Sequence, residues 1–191
     1  AEEAAAYMRE FTCKFADCTG FLGVSVEVDR EHGTVTTHQR GKVEARAEKW
    51  LPTESPLRTR PPDRPCDEKL ISLISPAAMK TYPTASNELV KAYGSLIGAL
   101  LYLALSKRGD IVYAVAMLGR AAKNPTPELM QRALLVVAYL LKTKEYAVVY
   151  SKEAGMVLVA YSDASFEEWG ATSGFVILFA GGQLTAVSKR Q

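Results

Sequence analysis

After Glu145 the spacing of apolar residues changes from one period to another, and that change limits what this chain can fold into. Between Asn87 and Lys142 apolar residues recur every three to four positions, the period of a helix. After Glu145 they alternate with polar and small residues, the period of a strand. The pattern predicts an α+β chain with its helices grouped before a run of antiparallel strands. The helical stretch divides into three. The first is predicted from Asn87, a good N-cap, to Leu105, and the second from Asp110 to about Ala122, stopped by Asn124-Pro125. The third starts at Thr126, with Pro127 at its first position and Glu128 in its first turn, and runs to about Lys142. Short connections make the three antiparallel neighbours. Leu129, Met130, Ala133, Leu134, Val136, Val137, Leu140 and Leu141 leave the third helix almost no polar face, so it is expected to be buried on most sides or paired with a partner.

Candidate strands follow at Val148–Tyr150, Met156–Ser162, Gly174–Ala180 and Gln183–Ser188, with Gly181-Gly182 as a two-residue hairpin signal. They predict a closing three-stranded antiparallel meander with an uncovered hydrophobic face. Upstream, alternation over Phe21–Val28, turn chemistry at Glu31-His32-Gly33 and β-branched Thr34–Thr37 predict a β-hairpin. A short amphipathic helix from Gly41 to Leu51 comes next, stopped by Pro52. Five prolines between 52 and 65 argue for an extended linker and a boundary. The expected division is 1–51, a linker at 52–65, a helical unit at 66–145 and a strand unit at 146–191.

Composition adds constraints. The 48% hydrophobic content suffices for a core, and 23 basic against 21 acidic residues give a net charge of only +2. That balance is too even to mark a nucleic-acid binder by itself. Its distribution is more informative. Residues 1–39 carry three basic and seven acidic side chains, whereas 40–65 carry seven basic and four acidic, so Arg58, Arg60 and Arg64 are the better candidates for phosphate contacts. Three cysteines, Cys13, Cys18 and Cys66, form no disulfide framework and suit a reducing, intracellular compartment. No secretion signal is recognisable, and the apolar run Tyr93–Leu105 is interrupted and short of a bilayer span, so no membrane is expected.

Several constellations invite chemistry. Cys13-x4-Cys18 followed by His32-x5-His38 approaches zinc-finger spacing, but both histidines lie in strand-favouring sequence, so two thiols and two surface imidazoles are expected instead. Gly94 and Gly98 share one helix face, which suits close helix packing. No glycine-rich phosphate loop and no Ser/His/Asp nucleophile arrangement is present. Asp163, in Val159-Ala160-Tyr161-Ser162-Asp163-Ala164-Ser165, closes an apolar strand and small residues follow it; its residues alone favour a strand-end Asp that caps a turn, with a carboxylate facing a cleft as the alternative.

Read in order, Phe21-Leu22-Gly23, Tyr93-Gly94-Ser95-Leu96-Ile97-Gly98-Ala99-Leu100-Leu101-Tyr102-Leu103, Arg108-Gly109-Asp110-Ile111-Val112-Tyr113-Ala114-Val115, Asn124-Pro125-Thr126, Tyr139-Leu140, Tyr161-Ser162-Asp163-Ala164, Thr172-Ser173-Gly174-Phe175 and Ser188-Lys189-Arg190-Gln191 resemble successive blocks of a copia-type retrotransposon reverse transcriptase and ribonuclease H. The resemblance implies a chain that begins just past the polymerase Tyr-x-Asp-Asp turn. It then passes through the end of the palm and the thumb and connection helices, and opens a ribonuclease H-like sheet. It implies a template-primer duplex or RNA–DNA hybrid as partner, held by Arg58, Arg60, Arg64, Lys107 and Arg108, with remaining polyprotein segments as further partners. It also implies Mg2+ as cofactor and Asp163 as the first metal-binding, catalytic carboxylate of ribonuclease H. The family draws its other carboxylates from a helix and strand that would follow Gln191. The expectation is therefore a fragment inactive alone, with rival readings as a host-adopted protein-interaction module or as the donor of one metal ligand to a site completed by another chain. Departures are visible: the family usually has Pro at Gly109, and Asp and Trp at Ser165 and Phe166. It also places a His and several basic residues on the third helix, where this chain has Leu129, Leu134, Leu135, Ala138 and Leu141.

Overall fold

A computed structural model describes residues 19–167 and 170–191 as a mixed α and β protein with two antiparallel sheets. The first sheet begins with β1 (Gly20–Phe21), β2 (Val24–Asp29) and β3 (Thr34–His38). Leu22 and Gly23, both at positive φ, turn β1 into β2. The fourth strand of this sheet is β4 (Ala147–Ser151), which pairs with β3 from Thr34↔Ser151 to His38↔Ala147. The strand expected at 148–150 thus joins the early hairpin rather than the later meander. Local alternation specifies a strand but not its neighbour.

Between β3 and β4 lie the helices: α1 (Arg40–Trp50), α2 (Pro56–Thr59), α3 (Glu68–Leu73), α4 (Pro76–Thr81), α5 (Asn87–Ser106), α6 (Val112–Gly119) and α7 (Pro127–Lys142). A 3-10 turn at Gly109–Ile111 leads into α6, so the second predicted helix begins later and ends earlier than its apolar pattern. At α7 the expected signals act as read: the Thr126 hydroxyl accepts from Leu129 N at 3.2 Å, Pro127 opens the helix and Glu128 sits in its first turn. For α5 the cap is Ser86, which accepts from Leu89 N at 3.2 Å, and Asn87 is the first helical residue.

The proline-rich segment is docked rather than extended. Ser55 caps α2 with Pro56 at its first position, and Arg58 folds back to close α1. The Arg58 guanidinium donates to Ala47 O at 3.1 Å and to Leu51 O at 3.1 and 2.9 Å, answering carbonyls left over at a helix end. Proline forbids long helices but permits a single turn with a preset φ.

The core lies where α1, α3, α5, α6 and α7 meet, with Tyr93, Leu96, Leu100, Leu103, Leu118, Leu129, Val136 and Leu140 fully buried. As its pattern implied, α7 is covered on most sides, meeting α1, α2, α3, α5 and α6. The α5 helix, 20 residues long with a window of mean hydropathy 1.6, is long and apolar enough by those measures to cross a bilayer, although its interrupted apolar run had read as too short. In this fold the Tyr93–Leu96–Leu100–Leu103 stripe packs into the core, whereas added Cβ atoms at Gly94 and Gly98 would meet nothing within 4 Å. The expected close packing across these glycines is not made within the described residues.

The second sheet is the meander β5 (Leu158–Glu167), β6 (Gly170–Phe179) and β7 (Gly182–Arg190). Its β6–β7 turn is formed by Ala180 and Gly181, with φ of +48° and +79°, one residue before the Gly-Gly pair that signalled it. Gly182 instead starts β7, where a Cβ would come 2.6 Å from the Tyr150 ring. One face of the meander is partly covered: α5 and α6 lie against β7, and Tyr150 on β4 donates to Gln183 O at 2.6 Å. The edge strand β5 remains open, with Leu158, Tyr161 and Phe166 exposed.

Candidate functional site

In an antiparallel sheet, residues directly opposite one another share a face, and so do residues two apart on one strand. The meander register therefore stacks three rungs on one face: Tyr161, Val176 and Ala186; then Asp163, Gly174 and Ser188; then Ser165, Thr172 and Arg190. The 3-10 turn and α6 pack against β7. A groove of about 480 Å³ stays open beside β5, bordered by Asp163, Gly174, Phe175 and Gln183 from the sheet and by Gly109, Asp110 and Val112 from the helical side.

Asp163 lies at the middle of a ten-residue strand rather than at its end, because the ladder continues through Ser165↔Thr172 to Glu167↔Gly170. Its side chain is exposed, and Oδ1 accepts from the Ala164 amide at 2.8 Å. The other carboxylate of the groove, Asp110, is already committed. It accepts from Arg108 Nε at 2.9 Å and Nη2 at 2.7 Å, and from the Tyr139 hydroxyl at 2.9 Å. Arg108 in turn donates to Thr143 O at 3.2 Å and Thr143 Oγ1 at 2.6 Å, and lies 5.8 and 5.5 Å from the Tyr139 and Tyr146 ring centres. Burial, helped by the Asp110 charge, pushes the Tyr139 hydroxyl up to about 12. Gln183 fills the space beside Gly109, where an added Cβ would approach its amide to 2.3 Å.

Two divalent ions a few ångströms apart need several carboxylates to neutralise and position them. Among the described residues no group of three His, Cys, Asp or Glu side chains comes together, and Asp110 is spent on Arg108 and Tyr139. The groove does not fit a two-magnesium centre. The zinc spacing fares no better: His32 Nδ1 meets Asp29 at 2.7 Å and His38 Nε2 meets Glu27 at 3.1 Å, while Cys13 and Cys18 lie outside the described residues.

Of the five cations expected at a nucleic-acid surface, three are engaged in contacts within the fold. Arg108 is 3% exposed and holds Asp110 and Thr143, which corrects its assignment as a phosphate contact. Arg58 closes α1, and Lys107 donates to the Tyr150 hydroxyl at 2.7 Å while lying 5.1 Å from its ring centre. Arg60 and Arg64 are exposed. Sequence reasoning missed Arg120, whose Nη2 donates to Thr172 Oγ1 at 3.0 Å and so reaches the third rung of the meander. It also missed Lys80 and Arg190, which border the same small cavity as Arg120. Nothing local in the sequence links residues so far apart.

Comparison with known proteins supplies the lineage. Over 103 residues the chain is 34% identical to the Secreted RxLR effector protein 161 of Plasmopara viticola, covering 52% of this chain and 72% of that protein. It is 32% identical over 105 residues to a Ty5-1 transposon protein of Saccharomyces cerevisiae, covering 53% of this chain and 34% of that one. It is also 31% identical over 103 residues to the retrovirus-related Pol polyprotein from transposon RE1 of Arabidopsis thaliana, covering 52% of this chain but 7% of that polyprotein. No family model and no solved structure matches. The chain belongs to one family with the Plasmopara viticola protein, and its Pol-related relatives mark it as retrotransposon-derived.

Proposed function

We propose that this chain corresponds to the connection and early ribonuclease H portion of a copia-type Pol polyprotein, and that by itself it holds an RNA–DNA hybrid or template-primer duplex without cutting it. One observation carries the reading. Asp163 stands mid-strand on the open part of a three-stranded antiparallel meander, where a first ribonuclease H carboxylate is expected, with no carboxylates free to complete a metal pair among the described residues. One carboxylate neither neutralises two divalent cations nor orients an attacking water. The test is incubation of the purified chain with magnesium and a labelled RNA–DNA hybrid. The expected result is salt-sensitive binding and an intact RNA strand, the same for Asp163→Asn. Cleavage that disappears in Asp163→Asn would replace this reading with that of a nuclease.

A second reading, a protein-interaction module, is favoured by the open β5 edge and its exposed Leu158, Tyr161 and Phe166. Light scattering separates the two. A stable stoichiometric assembly without hybrid affinity supports the module.

A further inference from the structure

We infer that β5 pairs with β5 of a second copy of this chain, antiparallel about a two-fold axis at Ser162, so that two meanders join into one six-stranded sheet. β5 is an edge ten residues long, its ladder with β6 is regular from Leu158 to Glu167, and it contains no Pro, Lys or Arg. Edges of that length are ordinarily guarded by such residues, by bulges or by a covering element. Val157 O accepts from the Ala180 amide at 3.3 Å, so the odd-numbered residues of β5 turn their main-chain groups toward β6. The even-numbered ones, from Leu158 to Phe166, turn theirs outward. The Ala164 amide fits this alternation, because it donates to Asp163 Oδ1 rather than to β6. Outward groups at every second residue are a template for one more strand.

The sequence of β5 makes a second copy the matching partner. With Ser162 opposite Ser162 of the second copy, Leu158 comes opposite Phe166, Val159 opposite Ser165, Ala160 opposite Ala164 and Tyr161 opposite Asp163. Even-numbered residues then meet even-numbered ones, as main-chain bonding between two such edges requires. Leu158 and Phe166, both exposed, cover each other on one face. An axis at Asp163 would set two carboxylates directly opposite each other. An axis at Tyr161 would leave Phe166 opposite Met156, before the start of β5. Size agrees with pairing as well. Met156, Val157, Leu158, Val159, Tyr161 and Phe166 leave roughly 700 Å² of apolar surface in solvent, near the ~800 Å² that each partner of a stable pair buries and above the ~300–600 Å² patch of an ordinary monomer. An interface of this size made largely of one strand pair is expected to dissociate on the order of 10 μM, so the dilute chain is a single copy with β5 in solvent. The pairing gives the interaction-module reading one occupant. It rests on the open edge of that reading and not on hybrid binding.

Sedimentation of the full chain from about 1 to about 300 μM, with and without a short RNA–DNA hybrid, tests the pairing. The expected result is a rise from the mass of one chain to that of two. Leu158→Lys with Phe166→Lys should weaken association at least about tenfold, and Leu158→Glu with Phe166→Glu likewise, because each sets like charges opposite each other. Mixing the two variants should restore the pair, which misfolded chains could not do. With Cys13, Cys18 and Cys66 changed to Ser, Ser162→Cys should link two copies on mild oxidation, whereas Ser165→Cys, about 20 Å from its counterpart, should not. Mass doubling without hybrid binding supports the pairing and removes the hybrid reading alone. A chain that stays a single copy at every concentration overturns the pairing, and hybrid binding by that single copy leaves the hybrid reading standing. Association that survives both charged variants, or a link at Ser165→Cys but not at Ser162→Cys, also overturns the pairing, because the contact then lies elsewhere.

Discussion

The helical unit and the β5–β7 meander are both rich in apolar side chains, but they dispose of them differently. In the helices the apolar stripes face one another, so Tyr93, Leu100, Leu129 and Leu140 are removed from water. In the meander α5 and α6 cover the β7 side, burying Ala186, while Leu158 at 64% and Phe166 at 84% exposure stay in solvent. Stability is therefore concentrated in the first region, and open surface, with Asp163 on it, in the second.

The largest expected effect probes that contrast itself. Leu100→Ala, at a fully buried position, should cost about 2–5 kcal/mol in denaturant unfolding of the dilute chain, whereas Leu158→Ala should change stability by less than about 0.5 kcal/mol. Equal losses at both positions would mean that β5 is covered in solution and would erase the difference between the two regions. Next comes the Arg108–Asp110 pair, which ties the α5–α6 junction to the end of α7. Asp110→Ala leaves the 3% exposed Arg108 without its carboxylate and should cost about 3 kcal/mol, much of it recovered by adding Arg108→Met.

Gln39 gives a smaller effect of opposite sign. It is 2% exposed and neither amide atom has a partner among the described residues, so Gln39→Met should stabilise the chain by about 1 kcal/mol, read from the unfolding midpoint. The smallest effect is alkaline. The Tyr139 hydroxyl is held protonated in the fold up to about 12, against an ordinary value of 10.0, first by burial and then by Asp110. The folded state thus binds this proton more tightly than the unfolded chain. The resulting stability is fully present below about pH 10 and is lost as pH rises toward about 12. A Tyr139→Phe variant should show a shallower loss of stability across that window.

Much of the helical region was legible because its signals are local. Thr126-Pro127-Glu128 fixes the start of α7, and the apolar run after it foretells burial. The meander strands were legible by alternation, with the β6–β7 turn displaced by one residue because Gly182 is needed beside Tyr150 rather than in the turn. Long-range relations were not legible. The pairing of β4 with β3 depends on a helical unit folding between them, and the proline-rich segment docks because Arg58 finds the carbonyls of α1. At the candidate site Asp163 was singled out through its motif, and its exposed place on β5 was not legible from it. The reassignment of Arg108 to the interior and the meeting of Lys80, Arg120 and Arg190 both depend on tertiary placement.

What decides between a binding surface and a nuclease is whether Asp163 has the neighbouring carboxylates that a metal pair requires. Manganese, a paramagnetic stand-in for magnesium, reports on this through broadening of backbone amide signals from Tyr161 to Ser165 during a titration. A lone carboxylate predicts at most weak, non-saturating broadening that differs little in Asp163→Asn. Saturable binding of two ions at these amides, abolished by Asp163→Asn, would contradict it.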